Sequence, residues 1–333
     1  MLTLHPLFRD HMVFQAGKPI RIFGSGTGLI RVSLLNEERE AVSSSGKWYL
    51  ELPPLPYGGP YSIKIMSEDH SIILHDIMIG EVLLCAGQSN MQFTMAEEIS
   101  APSSYQSDPF LRIYTVDRPE GHMPLSSADG WVQCEAGSVE KWSVLGYLVG
   151  TYLREKGIPC VGIVLCAQGA SVIQSWISLR RLRNPKLQIP PEQLWKDHFD
   201  PLYQSWNTPS FLYETMLKHV MPFSFGVAVW YQGESNVSPA EGKIYTSLLS
   251  EMILDWRELD CDNRLPFIVV QIADTRQDEG WIAVQRAQAA AAQMIPFVQT
   301  VVSGDVCEKN EIHPATKGLL AKRIADTILF HAK

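Results

Sequence analysis

The sequence predicts an α/β protein, a mostly parallel three-layer sheet preceded by a small N-terminal β-sandwich. Three observations carry this reading. Residues 4–76 consist of short alternating segments punctuated by turn residues. From about residue 78 onward, continuous apolar runs alternate with stretches of helical period. Three of those runs, ending near residues 86, 231 and 304, empty abruptly into small, amide, acidic or imidazole residues. Ligands of open α/β sheets bind at such strand ends.

The N-terminal strands are expected at 12–14, 20–24, 30–34, 48–52, 61–65 and 71–74, separated by turn signals such as Ser45-Gly46 and Tyr57-Gly58-Gly59-Pro60. They form an accessory domain over residues 1–77. Its aromatics Trp48, Tyr49 and Tyr61 are no more than a β core requires, so the domain is read as a packing partner rather than a glycan binder.

Residues 78–333 form the second domain. Val82 to Cys85 are apolar without alternation, as in a strand buried on both faces, and Gly87 breaks the run. Further strands are expected at 110–116, 161–165, 226–231, 266–272 and 297–302, with helices at 138–156, 208–219, 239–256, 281–294 and 314–331. This alternation implies a parallel sheet with helices on both faces. Residues 179–207 lack periodicity and are read as an irregular cover over the site, since loops of that length are commonly functional.

Composition narrows the function. With 333 residues the chain has room for two domains, and a net charge of −8 argues against nucleic acid or an anionic membrane as partner. No apolar run reaches the roughly 18 residues that span a bilayer. The N-terminus carries no signal-peptide pattern, so the chain as it stands reads as cytoplasmic, and as secreted or periplasmic if a leader has been removed. Six cysteines without metal-type spacing read as reduced core residues. There is no His-x-x-x-His or Cys/His cluster, so no metal or other cofactor is expected.

The chemistry lies in three separated motifs. Gly87-Gln88-Ser89-Asn90-Met91 places a serine just past a strand, on the kind of turn that presents a hydroxyl to a crevice. Trp230-Tyr231-Gln232-Gly233-Glu234-Ser235-Asn236 and Ile312-His313-Pro314 add carboxylate, amide and imidazole. In this order the three motifs resemble the sialate O-acetylesterase family of SGNH-type serine hydrolases, which also resembles certain acetylxylan esterases. The resemblance covers nearly the whole chain. It implies an SGNH-hydrolase-like domain behind a β domain, and a carbohydrate O-acetylesterase acting on acetylated sialic acid or a xylan-like chain. The substrate is then a small-molecule or oligosaccharide acetyl ester. The alternative is a noncatalytic glycan-binding protein on the same scaffold. The oligomeric state is open.

Ester hydrolysis needs a nucleophile, a base and donors for the oxyanion. Ser89 supplies the hydroxyl, and His313 the base, with Pro314 expected to open the following helix. The third member has two candidates. SGNH-type hydrolases often carry an aspartate three residues before the histidine, where this chain has Asn310, with Glu311 next to it. Some relatives use the glutamate of the Gln-Gly-Glu-Ser motif, here Glu234, which is the first choice, with Glu311 the alternative. For the oxyanion, the candidates are the backbone N–H of Ser89 or Gln88 and that of Gly169, the glycine matched by the resemblance ahead of Trp176. Gln232 and then Asn236 are the candidate amides, Asn90 is expected to brace the turn, and Arg286 and Gln288 are candidates to line the pocket.

Overall fold

The structure, a computed structural model, describes residues 2–100, 105–119, 124–184, 187 and 205–331. Eight strands come first: β1 (Thr3–Leu4), β2 (Val13–Gln15), β3 (Ile20–Ser25), β4 (Leu29–Leu34), β5 (Glu37–Val42), β6 (Lys47–Leu52), β7 (Gly58–Met66) and β8 (Ser71–Gly87). Alternation decides which face each buries. Trp48, Leu50 and Leu52 of β6 are buried while Lys47, Tyr49 and Glu51 face water, and Ile30, Val32 and Leu34 do the same for β4. Each such side chain contributes about 1.5–3 kcal/mol by leaving water. Strands β1, β3 and β6 form one antiparallel sheet, and their apolar faces join the same core cluster as those of β4 and β7. Strand β5 was not expected, because Glu37-Glu38-Arg39-Glu40 hides its period. Among the described residues it pairs only with β4, and charged side chains are how an edge strand avoids further pairing.

Six strands follow: β9 (Asp108–Thr115), β10 (Trp131–Cys134), β11 (Val161–Ala167), β12 (Val227–Tyr231), β13 (Phe267–Val270) and β14 (Val298–Val301). The main sheet runs β10-β9-β11-β8-β12-β13-β14, with β2, β4, β5 and β7 joined to it beside β8. The expectation of a mostly parallel sheet fits one part of it. Strands β9, β11, β8, β12, β13 and β14 pair in parallel, whereas β10 is antiparallel and so are the pairs among β4, β5, β7 and β8. The eleven-stranded sheet as a whole is therefore mixed. The cause is β8. Its first half pairs with β7 and its second half with β11 and β12, so the strand passes without a break through the boundary placed between residues 77 and 78.

The helices are α1 (Ser89–Gln92), α2 (Val144–Glu155), α3 (Leu179–Leu182), α4 (Phe211–Thr215), α5 (Pro239–Leu259), α6 (Glu279–Met294) and α7 (Gly318–His331). They cover both faces of the parallel strands. Leu83 and Cys85 of β8 join the cluster containing Leu145 and Val149 of α2 and Leu320 and Ile324 of α7. Val82, Leu84 and Ala86 join the opposite cluster, with Leu248 and Met252 of α5 and Trp281 of α6.

Two helix starts differ from expectation by four residues or more. Helix α2 begins at Val144 rather than near residue 138, because the Ser143 hydroxyl caps it by accepting from Gly146 N at 3.2 Å, after a separate 3-10 turn at Val139–Lys141. Helix α7 begins at Gly318, four residues after Pro314. Of the expected cover, α3 is fastened to α5 through Arg180 and Arg181, which pair with Glu258, and through Arg181 with Glu251. Residues 185–186 and 188–204 lie outside the described residues. All six cysteines are free thiols, four of them buried, while Cys261 is exposed and Cys307 lies between.

Candidate active site

Three neighbouring strands end level with one another. Gly87 of β8 is in register with Ala167 of β11 on one side and Tyr231 of β12 on the other. The segments beginning at Gln88, Gln168 and Gln232 therefore leave the sheet at one edge. Gly87 makes this possible, since its φ is 140° and a Cβ there would lie 2.1 Å from the Tyr231 carbonyl oxygen. The chain then turns at once into α1, whose first residue is Ser89.

Ser89 Oγ lies 2.8 Å from His313 Nε2. With the ring proton on Nδ1, the hydroxyl donates to Nε2, which is the arrangement a nucleophile and its general base require. Burial lowers the pKa of His313 below its ordinary value of 6.5, Lys317 nearby lowers it further, and Glu97 acts in the opposite direction. A lowered value keeps the imidazole neutral, and so able to accept a proton, at a more acidic pH.

Neither candidate carboxylate hydrogen-bonds His313 among the described residues. Glu234 is buried, and its Oε1 accepts from Asn90 Nδ2 at 2.6 Å, while its Oε2 is buried and has no hydrogen-bond partner among the described residues. Burial raises its pKa, against the opposing pull of Asn90 and Lys317. Glu311 is exposed, and it is its backbone carbonyl that takes part in the structure, accepting from Thr275 Oγ1 at 3.0 Å. Glu234 lines a cavity with Ser89 and His313, and Glu311 does not.

The amides expected at the oxyanion are placed elsewhere. Gln232 is fully buried, with Nε2 donating to the Ser171 carbonyl and to Asn236 Oδ1, and Oε1 accepting from Tyr245. Asn236 is also fully buried, with Oδ1 accepting from Ile173 N and Nδ2 donating to Gln174 Oε1. Both act as internal braces that hold the β11 and β12 loops together, with their polar groups already used. Gln288 braces the same region through Ile272 N and the Gln232 carbonyl. Arg286 is exposed on α6 and lines none of the cavities around Ser89. The helix face decides this: Gln288 points inward and Arg286, two positions earlier, points outward.

The backbone candidates divide. Gln88 N donates to the Tyr231 carbonyl at 3.0 Å and so belongs to the sheet edge, although its side chain lines a site cavity. Ser89 is the first residue of α1, where an N–H has no acceptor inside the helix. Gly169 faces Ser89: a Cβ there would stand 3.8 Å from that of the serine. Its N–H donates to Gln92 Oε1 at 2.8 Å, so this candidate donor is already paired with the Gln92 side chain.

Two cavities of about 300 Å³ each meet at Ser89, Gln92 and His313. One is completed by Gln88, Gly169, Ala170, Glu234, Ser235 and Ile312. The other carries Glu97, Arg118 and Lys141 beside apolar Phe93, Leu125 and Leu165. Gln92, Glu97, Arg118, Lys141 and Lys317 escaped the sequence reading. Gln92, three residues after the serine on the same helical turn, was the one with a usable signal.

Comparison with known proteins bears on this arrangement. The family described as carbohydrate esterase, sialic acid-specific acetylesterase matches residues 80–329. The sialate O-acetylesterase of Homo sapiens is 25% identical, over 95% of this chain and 68% of its own length. That of Mus musculus is 24% identical, over 95% of this chain and 70% of its own. Among solved structures, a carbohydrate acetylesterase from Xanthomonas citri superposes with a TM-score of 0.84 at 24% identity, covering 100% of this chain and 76% of that one.

Proposed function

The chain belongs to the carbohydrate esterase family of sialic acid-specific acetylesterases, and from that premise we propose that it hydrolyses acetyl esters of sugars with Ser89 as nucleophile and His313 as general base. The observation that carries the mechanism is the 2.8 Å approach of Ser89 Oγ to His313 Nε2 at the common edge of three strands. Ser89 Oγ attacks the acetyl carbonyl carbon as its proton passes to Nε2. The oxyanion is met by the N–H groups of Ser89 and Gly169 once Gln92 turns aside. Collapse breaks the bond to the sugar oxygen, which takes the proton from His313, and leaves an acetyl-serine. Water, deprotonated by the same imidazole, then releases acetate and restores the hydroxyl.

An acidic sugar such as a sialic acid suits the cavity that carries Arg118 and Lys141, because a guanidinium and an ammonium offer donors to a carboxylate. An O-acetylated oligosaccharide reaches the same serine through the second cavity. Glu234 remains the acid of choice, acting on the histidine through Asn90 rather than by direct contact.

The test is turnover of an aryl acetate and of O-acetylated sialic acid by the purified protein and its variants. Ser89→Ala is expected to abolish both while leaving the circular dichroism spectrum unchanged, and His313→Ala to cost nearly as much, since the two act as a unit. Turnover near the wild-type rate in Ser89→Ala rules out the assignment.

A further inference from the structure

His313 sits in a stretch without helix or strand, between β14 and α7. A general base must keep a defined geometry to its nucleophile, and a displacement of about 1 Å can cost about 10²-fold in rate. The usual holding contact, a carboxylate on the second ring nitrogen, does not occur among the described residues. The two carbonyls that flank the histidine are instead held by a clamp on the backbone. Asn90 Nδ2 donates to the Ile312 carbonyl at 2.8 Å, and Lys317 Nζ donates to the Pro314 carbonyl at 2.6 Å. Lys317 Nζ also donates to Asn90 Oδ1 at 2.9 Å, which closes the clamp through the residue next to Ser89.

We infer that Lys317 is the positioning residue of the general base: with Asn90 it grips both carbonyls flanking His313 and ties them to the nucleophile turn. This rests on the esterase reading of Ser89 and His313. The side chain is fully buried, its ammonium lies 4.6 Å from the centre of the Phe93 ring, and its own backbone N–H donates to Glu98 Oε2 at 2.9 Å. Burying an ammonium is costly unless it is paired. A loop that needed only packing would be served by methionine.

The charge adds a second effect. Lys317 faces the carboxylates of Glu234, Glu98 and Glu308 and the thiol of Cys307, and burial lowers its own pKa to about 8. His313 faces Lys317 and Glu97, and shares a cavity with Arg118 and Lys141. A cation beside the imidazole opposes imidazolium, so the base stays neutral at a pH where an unassisted histidine is protonated.

The experiment is the pH dependence of kcat and kcat/KM for an aryl acetate in the wild type, Lys317→Met and Lys317→Arg. Turnover by the wild type and its loss in Ser89→Ala establish the esterase reading first, independently of Lys317. Lys317→Met is then expected to lower kcat about 10²-fold with little change in KM, and to move the acid limb of kcat/KM to higher pH. Lys317→Arg, which keeps the charge, is expected to leave that limb near its wild-type position. A folded Lys317→Met with kcat near wild type, or with an unmoved acid limb, overturns the inference. Should Lys317→Met not fold, Lys317→Gln decides: it keeps a donor and removes the charge, so an upward shift of the limb supports the inference and an unmoved limb refutes it.

Discussion

Ser89 and His313 lie 224 positions apart in the chain and 2.8 Å apart in space, and among the described residues no carboxylate completes the set by direct contact. Glu234 is hydrogen-bonded to the histidine loop through Asn90, which donates to the glutamate with the same amide nitrogen that holds the Ile312 carbonyl. A carboxyl oxygen is enough for that role. Glu234→Gln keeps an acceptor for Asn90 and is expected to reduce kcat less than about tenfold, far from the roughly 10⁴-fold loss when a triad acid is replaced by its amide. Glu311→Gln is expected to match wild type, because its side chain faces water. Steady-state kinetics on the two variants check both. A loss of several orders of magnitude in Glu234→Gln contradicts the indirect role and restores the carboxylate as a direct partner of the ring.

At the scale of elements, the site depends on β8, β11 and β12 ending in register, and on Gly87 letting the first of them turn against Tyr231. Any side chain at Gly87 must push the β12 backbone away and adopt a φ of 140°. Gly87→Ala is therefore expected to destabilise by more than the roughly 1 kcal/mol that a glycine exchange at a compatible position can gain. It is also expected to lower kcat, since Ser89 follows two residues later. Urea unfolding monitored by tryptophan fluorescence measures the first and aryl acetate turnover the second; wild-type values for both would mean that the turn is not strained. Helix α7 carries a related lesson. Pro314 was expected to begin it, yet the helix starts at Gly318, and the last of the three residues between is Lys317, whose buried ammonium donates to Pro314's carbonyl.

Across the whole molecule, the β-rich N-terminal part and the catalytic sheet share β8 and are pinned together by polar contacts. Lys18 Nζ donates to the Phe225 carbonyl at 2.5 Å and pairs with Asp262 at 2.7 Å, while Ser224 Oγ donates to the Pro19 carbonyl at 2.7 Å. His5 lies at the same junction, with its ring 5.9 Å from that of His219 and 5.3 Å from Phe23. Burial, and secondarily His219, lowers the pKa of His5 to about 4. The folded chain thus takes up this proton later than the unfolded chain, whose histidines titrate near 6.5. Stability from this source is fully present above about 6.5 and is lost as the pH falls towards 4. The melting temperature of the wild type is expected to decline over that window, and that of His5→Phe to decline less. Equal declines would place the acid sensitivity in other groups.

The sequence by itself determined the class of elements and the three chemical motifs. Both are written in local patterns: alternation for Trp48 to Leu52, continuous apolarity for Val82 to Cys85 and Val161 to Leu165, and small and polar residues where each buried strand must stop. Ser89 and His313 were named as candidate nucleophile and base because three separated motifs stand in the order of the family they resemble, since neither residue's local pattern alone points to that chemistry. Tertiary structure decided the partners. Gln232 and Glu234 are both polar residues after a buried strand, and which one meets a cavity depends on the packing of Tyr245, Asn236 and Asn90 against them. Lys317 reads in the sequence as one more lysine at a helix start. Its burial, and with it the grip on the histidine loop, exists only once Asn90, Phe93 and Glu98 are brought from more than 200 positions away, and long-range contacts of that kind leave no periodic trace in the chain.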